Sequence, residues 1–143
     1  DTSGTIPRPD TVSYNTTLRA WSQALHTTLL GESSNSKNKK TATLCAEKAD
    51  ELLRFMQSIQ DTTAKEAPSS QHQRPSLSPT RTSFNIVINA WARTGNVERV
   101  ESLLKHMERE ASDVNKGNNT VDIYPCRYTF KSVINVSLEF KSL

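Results

Sequence analysis

The stretch Thr82–Met107, which reads TSFNIVINAWARTGNVERVESLLKHM, decides the fold of this chain. Its first half places Phe84, Ile88 and Trp91 at positions i, i+4 and i+7, the spacing of one face of a helix. Its second half carries an equivalent apolar stripe, formed by Val97, Val100, Leu103, Leu104 and Met107. The stretch therefore predicts two amphipathic helices in succession.

The segment between these two helices predicts how they are joined. Gly95 suits the left-handed conformation that commonly follows the end of a helix, and Asn96 suits the N-cap of the next helix. Glu98 then falls in the first turn, where the helix dipole favours an acidic side chain. A connection this short predicts an antiparallel helix hairpin.

The same two segments recur elsewhere in the chain. Pro9–Gln23 (PDTVSYNTTLRAWSQ) aligns with Pro79–Arg93 (PTRTSFNIVINAWAR), and Pro125–Ser137 (PCRYTFKSVINVS) keeps the proline, one aromatic residue and the isoleucine. Ala46–Met56 (AEKADELLRFM) aligns with Val97–Met107 (VERVESLLKHM). The repeating unit is thus a helix A followed by a helix B, present twice, and then a third helix A. Stacked hairpins of this kind bury their apolar faces against their neighbours.

This pattern predicts an all-α fold, an α-solenoid of antiparallel helix hairpins with long polar loop inserts. The expected division is a flexible segment 1–10, repeat one 11–57, a polar linker 58–78, repeat two 79–110, a polar loop 111–123 and a partial third repeat 124–143 with helix A only. Repeat one is expected to have helix A at about 11–24, an insert at about 25–43 and helix B at about 44–57. Repeat two is expected to have helices at about 81–93 and 96–110.

Composition bounds the class of protein. The chain has 143 residues, of which 34% are hydrophobic, compared with ~45–50% in an average globular domain. Lys and Arg number 18 against 15 Asp and Glu, and the net charge of +3 permits a polyanionic partner without requiring one. No run of ~18 apolar residues is present, so no membrane-spanning helix is expected. A targeting peptide is not expected within this stretch either.

Residue types that carry catalysis or bind metals do not fall into any recognisable pattern. Cys45 and Cys126 lie far apart, which argues against a disulfide framework or a zinc site and fits a reducing compartment. His26, His72 and His106 lack metal-ligand spacing, and neither a nucleophile elbow nor a phosphate-binding loop is present. The sequence therefore predicts no enzyme activity in this segment, no metal and no cofactor.

The combined pattern P-x-x-x-S-[YF]-N-x-x-[LI]-x-A-W, followed by G-x-[VA]-E-x-[VA]-x-x-L-L-x-x-M, closely resembles the pentatricopeptide repeat family. Thr82–Met107 is the best match, and the chain resembles a fragment with about two and a half repeats. The resemblance implies an α-solenoid that binds single-stranded RNA, one base per repeat, in a mitochondrion or plastid. It also implies a role in organellar RNA processing, stability or translation, with neither DNA nor a membrane as a partner.

The resemblance assigns roles to particular residues. The residue after the aromatic of each helix A contacts the base edge, and here these residues are Asn15, Asn85 and Lys131. The last residue of each repeat is the second reader, here Thr80 and Cys126. Residues near the start of helix A pack against the base faces, here Val12, Thr82 and Tyr128. The aromatic residues Tyr14, Phe84 and Phe130 are expected in the core together with Trp21 and Trp91.

Asparagine suits the reading role because its amide has two donors and an acceptor, and in the family it usually favours pyrimidines. Thr80, Cys126 and Lys131 depart from the family pattern, so the base that each repeat reads stays open. Two other functions also stay open. One is a protein-binding scaffold of a ribonucleoprotein, with protein partners held through the inserts. The other is the repeat arm of a larger RNA-processing nuclease such as protein-only ribonuclease P.

Overall fold

The computed structural model describes residues 9–30, 36–66, 78–114 and 124–141. Within these ranges the chain forms five helices and no strand. The helices are α1 (Thr11–Leu30), α2 (Ser36–Glu66), α3 (Arg81–Thr94), α4 (Val97–Val114) and α5 (Arg127–Lys141). The predicted all-α class is confirmed.

The helices alternate between two layers. The three A helices α1, α3 and α5 pack against one another in chain order. In the second layer, α2 packs against α1 and α3, while α4 packs against α3 and α5. Because each helix contacts only its neighbours in the stack, the architecture is an α-solenoid of helix hairpins.

The α3–α4 hairpin is closed by backbone geometry that its sequence predicts. Gly95 follows α3 with φ 83° and ψ 13°, the left-handed conformation that glycine adopts without a steric cost. Its N–H donates to the Ala92 carbonyl at 3.1 Å, and the Asn96 N–H donates to the Trp91 carbonyl at 3.2 Å. The Asn96 side chain then accepts from the Arg99 N–H at 3.1 Å and caps α4.

The core lies where the two layers meet. Most members of the predicted stripes of both repeats are buried there, and Val97 and Leu104 of repeat two are partly buried. The largest fully buried apolar side chains are Leu18, Leu25, Leu53, Met56, Phe84, Val87, Ile88, Val100 and Met107. Tyr14 and Trp21 are only partly buried but pack against this core.

Phe130 was expected in the core and is instead 44% exposed, so that expectation is wrong. Phe130 occupies the same repeat position as Phe84, which is only 1% exposed because α4 covers it. The centroids of the Phe84 and His106 rings lie 5.7 Å apart. Within the part of the chain that the structure describes, no helix follows α5 to cover Phe130 in the same way.

The helix bounds in repeat one differ from those expected. α1 continues to Leu30 and α2 begins at Ser36, so most of the insert predicted at 25–43 is helical. Threonine hydroxyls donate to carbonyls four residues earlier, for example Thr28 to Ala24 at 2.7 Å and Thr43 to Lys39 at 2.9 Å. These bonds accommodate the threonine hydroxyls within the helices, so the polar side chains are compatible with the helical backbone.

The other predicted polar segments are shorter than expected where the structure describes them. α2 runs to Glu66, into the linker predicted at 58–78, and α4 runs to Val114, into the loop predicted at 111–123. Residues 1–8, 31–35, 67–77 and 115–123, on which the remaining loop predictions fall, lie outside the described residues.

One buried ion pair links the second-layer helices. Asp50 on α2 is 5% exposed, and its Oδ2 accepts from Arg99 of α4 through Nε at 2.9 Å and through a terminal nitrogen at 2.5 Å. Arg54 approaches the same oxygen at 3.4 Å from a largely exposed position. The guanidinium of Arg99 thus offsets part of the cost of burying this carboxylate, whose Oδ1 is buried and accepts no hydrogen bond from the described residues.

We expect Gly95→Ala to lower the free energy of unfolding by roughly 1–2 kcal/mol, because a Cβ is disfavoured at positive φ. Gly95→Asn should cost less, since asparagine tolerates the left-handed region. Urea denaturation followed by circular dichroism measures both. Equal losses in the two variants would contradict the role given to the backbone angle.

We expect Arg99→Ala to destabilise the fold by about 2 kcal/mol, because it leaves the buried Asp50 carboxylate without its main partner. Arg54→Ala is the matched control, and it should cost less than about 0.5 kcal/mol because the Arg54 side chain is largely exposed and lies further from the carboxylate. Urea midpoints for the two variants test this expectation, and similar midpoints would contradict it.

Candidate nucleic-acid interface

The two predicted readers of repeat one lie together. Asn15 is in the second turn of α1, and Thr80 is the N-cap of α3. The Asn15 amide nitrogen donates to the Thr80 hydroxyl at 3.4 Å across the α1–α3 contact. Two side chains that are distant in sequence therefore form a single polar pair at the N-terminal end of the first layer.

The two predicted readers of repeat two form the equivalent pair. The Asn85 amide nitrogen donates to the Cys126 sulfur at 3.4 Å, across the contact between α3 and α5. Cys126 directly precedes α5 in the same way that Thr80 directly precedes α3. The polar pair is therefore a repeated feature of this chain.

A buried hydroxyl completes each pair, and sequence analysis missed both of these residues. The Ser83 hydroxyl donates to the Asn15 amide oxygen at 2.5 Å, and the Thr129 hydroxyl donates to the Asn85 amide oxygen at 2.5 Å. Each hydroxyl lies three residues after the helix cap. The signal that could have found them is the capping-box spacing, here T-x-x-S and C-x-x-T.

The predicted base-packing residues are exposed on the first turns of the three A helices. Val12 is 71% exposed and Tyr128 is 76% exposed, and Thr82 is exposed between them in repeat order. Each precedes its Asn15, Asn85 or Lys131 counterpart by three residues, so it lies on the same helix face. The structure therefore leaves these side chains accessible beside the polar pairs.

Lys131 takes the position on α5 that Asn15 and Asn85 take on α1 and α3, and it is exposed. Two arginines, Arg81 and Arg127, occupy the first residues of α3 and α5. Positive side chains therefore lie close in sequence to the capping residues of both polar pairs, where they are suited to contacting phosphate.

Asp10 is a further residue that sequence analysis did not single out. It precedes α1 as Thr80 precedes α3, and its Oδ1 accepts from the Ser13 N–H and the Ser13 hydroxyl, both at 2.9 Å. The hydrogen bonds from Ser13 lower the pKa of this exposed carboxyl below 3.8. The row of capping residues Asp10, Thr80 and Cys126 therefore begins with a negative charge.

The thiol of Cys126 has an altered acidity. Burial raises its pKa, but hydrogen bonds to the sulfur from the Thr129 N–H and the Asn85 amide nitrogen help to outweigh burial, and the pKa falls from 9.0 to about 7. A substantial fraction of this side chain is therefore a thiolate at neutral pH. Thr80, at the equivalent position, has no comparable ionisation.

The described residues also bear on two other classes of site. Across the described ranges, no three histidine, cysteine or acidic side chains come together in a way that could hold a metal ion. None of the helices there combines the length and apolarity needed to cross a membrane.

The paired helices and the repeated polar pairs define a helical-repeat protein. Within it, residues 82–111 match the family model of the PPR repeat. This range spans most of α3 and α4, so the resemblance predicted for Thr82–Met107 is confirmed and this hairpin is a pentatricopeptide repeat. Searches of curated proteins and of solved structures each found no match. The assignment of 11–57 and 124–143 to further repeats stays a prediction.

We expect the alkylation rate of Cys126 by iodoacetamide to reach half its maximum at about pH 7, because the thiolate is the reacting form. Cys45 is buried and serves as the internal control, with slow labelling in the folded chain. Asn85→Ala should move the midpoint upward, since it removes a donor to the sulfur. Mass spectrometry of the labelled peptides measures both rates. A midpoint near pH 9.0, the ordinary value, would contradict the assignment.

Proposed function

We propose that this chain binds single-stranded RNA, with successive A helices each presenting one reading site to one base. The observation that carries the proposal is the repeated polar pair, Asn15 with Thr80 and Asn85 with Cys126, built in the same way at two successive helix junctions. A pentatricopeptide repeat at 82–111 supports it, because that repeat suggests an RNA-binding helical repeat protein.

The chemistry of the pairs suits base recognition. An asparagine amide offers both donors and an acceptor, and the Watson–Crick edge of an unpaired base offers the complementary groups. Thr80 adds a hydroxyl that both donates and accepts, while Cys126 adds a soft acceptor. Each site therefore has two adjacent polar groups with which to distinguish one base from another.

The surroundings of the pairs suit the other parts of a nucleotide. The exposed Val12, Thr82 and Tyr128 side chains provide surfaces against which base faces pack, and Tyr128 adds an aromatic ring for stacking. Arg127 and Lys131 provide positive charge for phosphates near the second site. We propose that a strand crosses the N-terminal ends of α1, α3 and α5 in turn.

The role that follows is binding without catalysis. By binding a transcript segment, the protein would shield it, expose it or recruit factors to it. We place this role in the processing, stability or translation of organellar RNA. Following the family, we propose that this takes place in a mitochondrion or a plastid.

We expect the chain to bind single-stranded tetranucleotide RNA more tightly than the DNA of the same sequence or duplex RNA. Because two sites give weak binding, the measurement is an NMR titration of the ¹⁵N-labelled chain, which detects millimolar affinities. Asn15→Ala combined with Asn85→Ala should weaken binding by about tenfold or more, since two base contacts are lost. Gln23→Ala, an exposed amide further along α1, is the control and should leave the affinity unchanged.

Two outcomes would overturn the proposal. One is an affinity that ignores the type of nucleic acid and vanishes with modest salt, which indicates electrostatic attraction alone. The other is no binding by the unmodified chain at NMR concentrations. Either result would favour the protein-binding scaffold, and the partner would then be sought through the exposed apolar face of α5, where Phe130 and Ile134 lie.

A further inference from the structure

We infer that Ser83 and Thr129 are positioning residues that fix the amide orientation of Asn15 and Asn85, and thereby set the base preference of the preceding repeat. This inference rests on the proposed function and adds a determinant of specificity to it. It follows from a chain of three hydrogen bonds that runs in the same direction at the two sites.

At the first site, the chain of hydrogen bonds begins at the backbone. The Thr80 N–H donates to the Ser83 hydroxyl oxygen at 3.0 Å, and that hydroxyl donates to the Asn15 amide oxygen at 2.5 Å. The Asn15 amide nitrogen in turn donates to the Thr80 hydroxyl oxygen at 3.4 Å. Both the oxygen and the nitrogen of the Asn15 side-chain amide are thus hydrogen-bonded to the capping box of α3.

At the second site, each of these three contacts recurs. The Cys126 N–H donates to the Thr129 hydroxyl oxygen at 3.1 Å, and that hydroxyl donates to the Asn85 amide oxygen at 2.5 Å. The Asn85 amide nitrogen in turn donates to the Cys126 sulfur at 3.4 Å. The chemistry of the cap differs between the sites, but the direction of the hydrogen bonds does not.

The direction matters because a hydroxyl has a single proton. A backbone N–H can only donate, so the Ser83 and Thr129 oxygens accept from the cap and use their one proton on the amide oxygen. The amide oxygen of each asparagine therefore faces the buried hydroxyl in the first turn of the following A helix. The amide nitrogen faces the residue that caps that same helix. A reversed amide would forfeit the short bond from the hydroxyl.

Burial makes the hydroxyl hard to replace. Ser83 is 0% exposed and Thr129 is 1% exposed, so bulk water does not reach these oxygens. An amide oxygen that loses such a donor is left unsatisfied in a partly buried position, and rotation of the amide by a half turn becomes competitive. The hydroxyl thus acts on the base through the orientation of the asparagine.

Orientation decides which base is preferred because cytosine and uracil present opposite hydrogen-bonding groups at N3 and at C4. The N3 atom of cytosine accepts a hydrogen bond, whereas the N3–H of uracil donates one. An amide held in one orientation presents one kind of group and discriminates between the two bases. An amide that turns freely presents either group, so discrimination falls more than affinity does.

The chain contains its own control for the capping box. Ser13 takes the same position on α1 as Ser83 on α3 and Thr129 on α5, but its hydroxyl donates to the Asp10 carboxylate at 2.9 Å. Ser13→Ala therefore removes a capping hydroxyl without touching a reading amide. Ser83→Thr keeps a hydroxyl at the inferred position and is the rescue variant.

The experiment compares NMR titrations of the full 143-residue chain and its variants with the tetranucleotides C4 and U4. We expect Ser83→Ala and Thr129→Val each to bring the ratio of the C4 and U4 affinities closer to one, by about threefold, the scale of one neutral hydrogen bond. Ser13→Ala and Ser83→Thr should keep the ratio of the unmodified chain. In an Asn15→Ala background, Ser83→Ala should leave the ratio unchanged, because the amide on which it acts is gone.

A second readout does not require RNA. The side-chain NH₂ signals of Asn15, assigned by their loss in Asn15→Ala, should shift in Ser83→Ala and stay in place in Ser13→Ala. Circular dichroism checks that each variant remains folded.

The outcomes separate the inference from the proposed function. If RNA binds but Ser83→Ala and Thr129→Val keep the affinity ratio, the positioning role is wrong and the proposed function stands. The positioning role is also wrong if the unmodified chain does not distinguish C4 from U4. If the unmodified chain binds no RNA, both are wrong.

Discussion

The rest of the structure depends on the burial of α3 by its neighbours. This helix packs against α1, α2, α4 and α5, and most of its residues between Ser83 and Ala92 are buried as a result. Only a narrow strip of its surface is left accessible, and Thr82 and Asn85 lie on that strip. The same packing that holds the solenoid together thus selects the few polar side chains able to meet a ligand. It also brings the N-terminal ends of the three A helices side by side.

The two reading sites share this geometry but differ in chemistry. The threonine hydroxyl of the first site donates and accepts hydrogen bonds, while the sulfur of the second site carries a thiolate fraction that only accepts them. Equivalent positions in the repeat therefore present different hydrogen-bonding groups on an unchanged backbone. Asp10 occupies the equivalent capping position before α1 and presents a third kind of group there, a carboxylate.

Much of the fold could be predicted from sequence because repetition fixes the register. Once Tyr14 and Phe84 are aligned, the helical period places Asn15 and Asn85 on matching faces, and the prolines before Thr80 and Cys126 bring these caps into the same frame. The sequence predicts a loop for the polar insert of repeat one because its lysines and threonines show no apolar period, and the structure places most of this insert in helices. Its last two turns are held in the helix by burial of Ala42 and Cys45, which composition does not reveal.

Other features could not be predicted because they depend on neighbours. Phe84 and Phe130 have the same local sequence pattern, yet only the former is covered by a following helix within the described residues. Ser83 and Thr129 look like ordinary capping residues until the packing of successive A helices places them against the amides of the preceding repeat.

The hydrogen bonds between α1 and α3 imply that the unit of recognition is offset from the unit of folding. A hairpin begins with its helix A, but each polar pair needs the asparagine of one hairpin and the first turn of the next. Exchanging a single hairpin for another would therefore rebuild two sites, its own and the one before it. Chimeras of such solenoids are better joined after the first turn of a helix A. With that junction, each asparagine and the first turn of the next helix A come from the same parent protein, so every reading site is kept whole.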